Sequence, residues 1–403
     1  MRHAIVIAAV VVVGWVGFGL WWNWSLAGLP DIGDPFDVAE FERSRQVAPE
    51  DDAAPNYVRA SGLLRRVIWF GRGREWNIQR WEEADPAKRR DLETDRAALD
   101  LWFQATEKPN CSTTGLPHPY QNWYFSELAA LEASRLGATG DMAGAWRWYR
   151  AILQSTEHVT RGMPPHDRRS QLSLRAAVAE PITRWAADGR VDAETLRGAL
   201  ADLVAMYEVV PQEIDFYKAT YLDLQDTIKS AGDDPTNYVG PDFPLLGRLP
   251  PATNRAWMPM RQEPERSKRV LRLILANWLA WASQPRASRP GPLPREEGDP
   301  ILYPLAADAP ASARTLPPER LIRWYRSSSY ARFLYMGLDH ENLCEEVIVR
   351  ERAARARLIV AVAEQLYRRE HGGHASPSRE ALVGPYLKRL PGGLDGPLPR
   401  FEE

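Results

Sequence analysis

The sequence predicts an all-α protein: a single N-terminal transmembrane helix, then an antiparallel helical bundle or hairpin array broken by two long Pro-rich loops. Three observations predict it. Residues 4–22, AIVIAAVVVVGWVGFGLWW, carry no charge. Apolar residues then recur at helical three- and four-residue spacing along most of the chain, and alternating strand patterns are nearly absent. The 33 prolines gather in a few linkers. With 44% apolar and 26% charged residues over 403 positions, the chain has the composition of a folded protein large enough for more than one domain.

Nineteen residues at ~1.5 Å each span about 28 Å, close to the hydrocarbon core of a bilayer. Trp21, Trp22 and Trp24 sit where interfacial aromatics belong. Arg2 precedes the span and Asp31, Asp34, Asp37 and Glu40 follow it, so charge bias places the N-terminus in the cytoplasm and the body outside. The alternative is a signal segment cleaved near Ala27, after Ser25-Leu26-Ala27, leaving a secreted body. The expected division is an anchor and short stem over 1–30, a helical lobe with hairpin pairs over 31–235, and a second lobe with Pro-rich loops and a helix-turn-helix tail over 236–403.

The body begins with a helix over 51–70. Asp85-Pro86 opens another that runs to about Lys108, with Asp as cap and Pro in the first turn. Residues 122–136 follow, stopped by Gly137, with Tyr124, Phe125, Leu128 and Leu131 on one face. Asp141 then opens GDMAGAWRWYRAIL, in which Met142, Ala145, Trp146, Tyr149, Ile152 and Leu153 form one stripe and Trp148 flanks it. The two make a helical hairpin, and no second copy recurs at solenoid spacing. A further helix starts near Asp167. Asp192 caps one with Leu196, Ala199, Leu200, Leu203, Val204 and Tyr207 inward, and Pro211 opens one with Ile214, Tyr217, Tyr221, Leu224 and Ile228 in line. Residues 265–283 are apolar on most sides and predict a central helix; Pro317-Pro318-Glu319 starts another. Residues 340–370 make the longest. Two stretches, 232–261 and 284–316, lack any period and predict extended loops wrapping the core, with Gln284–Pro300 the more mobile part.

Chemistry-bearing motifs are sparse. His340 and Cys344 lie one helical turn apart with Glu341 and Glu345 beside them, which reads as a capped helix start rather than a zinc pair. His371-Gly372-Gly373-His374 reads as a glycine helix stop. His118, His158 and His166-Asp167 have no partner at ligand spacing. No nucleophile elbow, phosphate loop or dinucleotide fingerprint occurs, and Ser327-Ser328-Ser329 lies at a helix end. Arg350, Arg352, Arg355 and Arg357, interleaved with Glu345, Glu346 and Glu351, read as a solvated, salt-bridged face. No catalytic, cofactor-binding or metal-binding residue is assigned. Cys111 and Cys344 could form a disulfide outside the cytoplasm, but their spacing does not decide it. A net charge of −2 gives no reason to expect a nucleic-acid partner.

The ordered pieces GLPDIGDPFDVAEF, ADPAKRRDLETDRAALDL, GDMAGAWRWYRAIL, ITRWAADGRVDAETLRGALADL, RSKRVLRLILANWLA and QLYRREHG with GPYLKRLP resemble a family of uncharacterised membrane-anchored helical proteins of planctomycete bacteria. The resemblance implies anchoring and a co-extensive fold, and carries over no catalytic residue. QLYRREHGGHASPSREALVGPYLKRLP is also similar to the pseudopilin C-terminal pattern, and implies that Leu358 and Tyr367 on the long helix fold back against Tyr386 and Leu387 on a short one. It departs from that pattern at Pro391-Gly392-Gly393-Leu394-Asp395-Gly396 and in the absence of a Glu from residues 4–22. The function expected is an extracytoplasmic interaction or scaffolding protein of the cell envelope, more readily than an enzyme, held in the membrane by 4–22 and engaging another envelope protein. The alternatives are an exported hydrolase or a component associated with a secretion apparatus.

Overall fold

The computed structural model describes residues 12–17, 26, 28–64, 78, 80–112, 119–160, 165–208, 213–233, 263–285, 288–296, 298–326, 328 and 341–392. Its regular structure is helical; among the described residues β-pairing is limited to isolated bridges, Asp52 to Asn110 and Val383 to Leu387. The expected transmembrane span lies largely outside the described residues. Its described part, residues 12–17, is helical and exposed. Among the described residues no helix is long and apolar enough to cross a membrane.

The α-helices are α1 (Val38–Ser44), α2 (Ala54–Leu63), α3 (Pro86–Thr94), α4 (Arg96–Thr106), α5 (Pro119–Ala138), α6 (Met142–Thr160), α7 (Pro165–Ala187), α8 (Ala193–Glu208), α9 (Glu213–Asp233), α10 (Glu263–Ala282), α11 (Pro318–Arg326) and α12 (Glu341–Glu370). They fall into two compact units. One comprises residues 1–41 and 213–341, the other 42–212 and 342–403. The linear division at 235 expected from the sequence does not follow this grouping, because α12 packs with helices from the first half of the chain.

In the larger unit α5 and α6 form the expected hairpin. Tyr124, Phe125, Leu128 and Leu131 meet the stripe Met142, Ala145, Trp146, Tyr149, Ile152 and Leu153, and all are buried. The turn between them is set by Gly140, at φ 91°, not by Gly137, which stays helical. The left-handed residue lets the Asp141 amide donate back to the Leu136 carbonyl at 2.9 Å, closing the helix end. Asp141 then accepts from the Gly144 amide at 2.8 Å, capping α6. Asp85 accepts from the Ala87 amide at 2.7 Å as predicted, but its helix breaks at Asp95. Asp95 is buried and accepts the Tyr124 hydroxyl at 2.7 Å; its backbone, at φ −99°, ψ 16°, separates α3 from α4. Trp148 sits at the rim, tilted against Phe103 at 4.4 Å.

The tail folds back as expected. Tyr386 lies edge-on to Tyr367 at 6.0 Å and its hydroxyl donates to Glu370 at 2.6 Å. Tyr386 and Leu387 follow a single 3-10 turn, Glu380–Leu382, instead of lying on a helix of their own. Gly372 and Gly373 take φ 64° and 91°, the glycine stop of α12.

In the smaller unit α9 and α10 pack together, with α11 on α10. Tyr217, Tyr221, Leu224 and Ile228 are buried against Leu271, Ile274 and Trp278. The described residues of 284–316 carry no regular helix beyond short turns, and the described part of the stretch expected to be mobile is pinned to α10. Trp278 donates its indole N–H to the Ile301 carbonyl at 2.8 Å and Trp281 to that of Pro290 at 2.9 Å. Asn277 bonds both backbone groups of Tyr303, whose ring stacks on Trp281 at 3.9 Å. The other expected loop, 232–261, lies outside the described residues beyond Asp233.

The short polar stem is also fastened. Arg272 of α10 pairs with Asp31 at 3.0 Å and Asp34 at 3.3 Å, Arg269 donates to the Leu29 carbonyl at 3.1 Å, and Tyr221 donates to Asp34. Asp31 accepts the Gly33 amide at 3.0 Å; that bond leads in holding its carboxyl below the usual range, with Arg272 and Arg269 adding to it against the cost of burial.

Candidate functional site

The stripe of α6 does not stay apolar. Continued from Leu153 at the same spacing it reaches Thr156, Glu157 and Thr160, and all three are buried. Thr156 and Thr160 return their hydroxyls to carbonyls of their own helix, Ile152 and Thr156, each at 2.7 Å. Glu157 has no such local option, and a buried carboxylate needs a cation.

Two arginines answer it. Arg175 of α7 reaches Glu157 at 2.5 Å and also pairs with Glu351 of α12; Arg355, one turn beyond Glu351, pairs with both acids. The four side chains retain between 4% and 11% of their exposure, so the cluster is an interior one. It corrects the sequence reading of the α12 arginines as a solvated face. Arg355 and Glu351 are paired, but in the core; Arg352 and Arg357 are half-buried, and the Arg350 side chain lies outside the described residues.

The formal charges cancel, two against two. Burial works against the charged form of Arg355, but Glu157 and Glu351 outweigh it and hold its guanidinium above its usual value. Arg355 also donates to the Met206 carbonyl of α8 at 3.0 Å, so one side chain joins α12, α6 and α8. Beside the cluster is a cavity of about 30 Å³ walled by Leu153, Leu203 and Leu358, room for one water.

A second polar layer adjoins the end of α6. His158 is buried between Tyr57 of α2, at 2.9 Å, and Gln154, at 2.9 Å. Burial pushes the Tyr57 hydroxyl well up, with Cys111 adding to it, so it stays neutral. Asn122 accepts from the Trp102 indole at 3.0 Å and donates to Gln171 at 2.9 Å. Asp52, just before α2, accepts the Ala54 amide and both the amide and hydroxyl of Ser112; burial would raise its carboxyl, but these bonds outweigh it and hold it low.

Chemically, this interior fixes helices. In the ion cluster each carboxylate is shared by two guanidinium groups, an arrangement that suits a structural role better than proton transfer. Among the described residues no group of three or more metal-binding side chains forms. His371 stacks on Tyr367 at 3.9 Å at the end of α12, and His374 is exposed. Ser328 is buried against Ser267 at 2.9 Å. His118, His340, the side chains of Cys344, His166 and Asp167, and therefore the Cys111–Cys344 pairing, lie outside the described residues; Cys111 itself is buried. The sequence reading missed the quartet because its members come from three helices. The one signal was the run of polar residues where the α6 stripe should have continued.

Fold and interior together define an all-α protein of two helical units, one of them centred on a neutral ion-paired core. Compared with family models, curated proteins and solved structures, the chain matches none.

Proposed function

We propose that this chain is a membrane-anchored helical interaction protein of the cell envelope, tethered by residues 4–22 with its body outside the cytoplasm. One observation carries the anchor. Val12, Val13, Trp15 and Val16 lie in helix and are 60%, 71%, 48% and 57% exposed, in the middle of a charge-free run. A helix that turns that much apolar surface outward needs a non-aqueous cover, and the length of the run matches a bilayer. The orientation rests on Arg2 before the run and four acids after it. The fastening of Asp31 and Asp34 to Arg272 supports a short tether, since little free chain separates the run from the smaller unit. Membership of the planctomycete family of anchored helical proteins is part of the same proposal and rests on the ordered motifs.

The interaction role follows from how the large side chains are used. Trp102, Trp146, Trp185, Trp278 and Trp281 are buried in helix packing, leaving recognition to the surface. A reporter that is active only outside the cytoplasm, fused after Glu403, tests the orientation; activity is expected, and silence beside an active cytoplasmic reporter would reverse it. Crosslinking in intact cells followed by affinity capture should recover a stoichiometric envelope partner. Recovery of the chain alone would contradict the role.

A further inference from the structure

A second cavity, in the larger unit, differs from the one beside the ion cluster. It holds about 140 Å³, close to the ~150 Å³ cavity that admits benzene. Its origin is local. Along α5 the positions Ala130, Ala133 and Gly137 are small and share one face, so the large side chains opposite, Tyr149 of α6 and Trp185 of α7, do not close the gap. Arg184 and Arg190 also line it.

Two features set this cleft apart from a packing gap. Tyr149 is 6% exposed and lines the cleft, beside Arg184. Burial pushes its hydroxyl up to about 12, against the pull of Arg184 and with a small push from Glu180, so at neutral pH it is a protonated donor. The arginines also keep donors to spare. Arg184 meets Glu180 through one terminal nitrogen, and Arg190 meets Asp188 through Nε and one other.

We propose that this cleft binds a small aromatic carboxylate, its ring over the Ala133–Gly137 strip and its carboxylate taking hydrogen bonds from the Tyr149 hydroxyl and Arg184. A ring fits the volume and the small-residue strip of α5, and the three arginines of the lining, Arg80 being the third, outnumber its two acids, Glu82 and Asp188. A carboxylate accepts from neutral and charged donors at once, and Arg is the side chain best shaped to meet it. The site is independent of the anchoring proposed above.

Isothermal titration of the full chain in detergent with benzoate tests the assignment, with benzyl alcohol as the neutral probe of the same shape. Saturable benzoate binding is expected, about tenfold or more tighter than benzyl alcohol, as a charge-assisted contact implies. Tyr149→Phe should weaken benzoate about three- to tenfold, the effect of one lost hydrogen bond. Gly137→Leu is the blocking variant: a Cβ there meets no atom within 4 Å, so the new side chain enters open space without disturbing α5. It should abolish binding and keep the cooperative melting transition. Absence of saturable benzoate binding, equal affinity for the alcohol, or benzoate affinity unchanged in Tyr149→Phe or Gly137→Leu would overturn the proposal.

Discussion

Trp146 shows how the aromatic residues are used. Its ring stacks on Trp185 at 5.2 Å, its indole donates to Asp202 at 3.0 Å, and Trp185 in turn donates to the Met142 carbonyl at 3.1 Å. Trp146→Ala should therefore cost about 3–5 kcal/mol, read from urea unfolding. A loss under about 1 kcal/mol would mean that the residue does not hold the core. Gly198, exposed in the middle of α8 with no atom within 4 Å of a Cβ, is the opposite case. Gly198→Ala should stabilise the chain by about 0.5–1 kcal/mol in the same assay. At this scale the sequence is most readable where burial follows helical period, as at Trp146, Tyr149 and Ile152. It is least readable at Glu157 and Arg355. An Arg–Glu alternation looks the same on a solvated face and in a neutral core, and Arg175 stands far from Glu351 in the chain.

Among elements, α6, α7 and α12 are joined by the ion quartet. Replacing one member leaves a net charge in the interior, so Glu351→Gln should cost about 3–5 kcal/mol, while exchange of all four for apolar residues of similar volume should cost far less. Calorimetric melting of the two variants decides it; equal losses would show that the charges contribute individually rather than as a balanced set. Acid sensitivity has another source in Glu132 of α5. Burial alone would raise its carboxyl, but Arg135 at 2.7 Å and Arg96 at 2.8 Å outweigh that and hold it below its ordinary 4.5. A depressed folded value means the unfolded chain takes the proton first. The stabilisation is thus complete above pH 4.5 and is lost as the pH falls through the folded value. Glu132→Gln should flatten that acid limb; an unchanged slope would assign it to other carboxylates. Element boundaries were legible where caps are local, as at Asp85, Asp141 and Asp192, which accepts the Thr195 amide at 2.7 Å. They were not legible at Asp95, a buried residue whose partner Tyr124 lies on another element, or in 288–303, where order comes from Trp278, Trp281 and Asn277 on another element.

At the scale of the whole molecule, the proposal gives the two helical units and the apolar run of residues 4–22 different solvents. The all-α class was readable from periodicity, because helical spacing recurs whatever the tertiary partners are. The grouping into units was not, since α12 returns to helices more than a hundred residues earlier, as Arg175–Glu351 and Arg197–Glu370 make plain. The cleft beside Tyr149 was equally hidden, because it arises from small residues of α5 facing large ones on two other helices. The account's central claim is that residues 4–22 lie in a bilayer while the helical body is held together by its own aromatic and ion-paired interior. Alkaline carbonate extraction of membranes carrying the full chain, beside a variant starting at Gly28, tests it most directly. The full chain should stay with the pellet and the shortened one appear in the supernatant with its helical circular dichroism intact. Release of the full chain by carbonate, or retention of the shortened one, would contradict it.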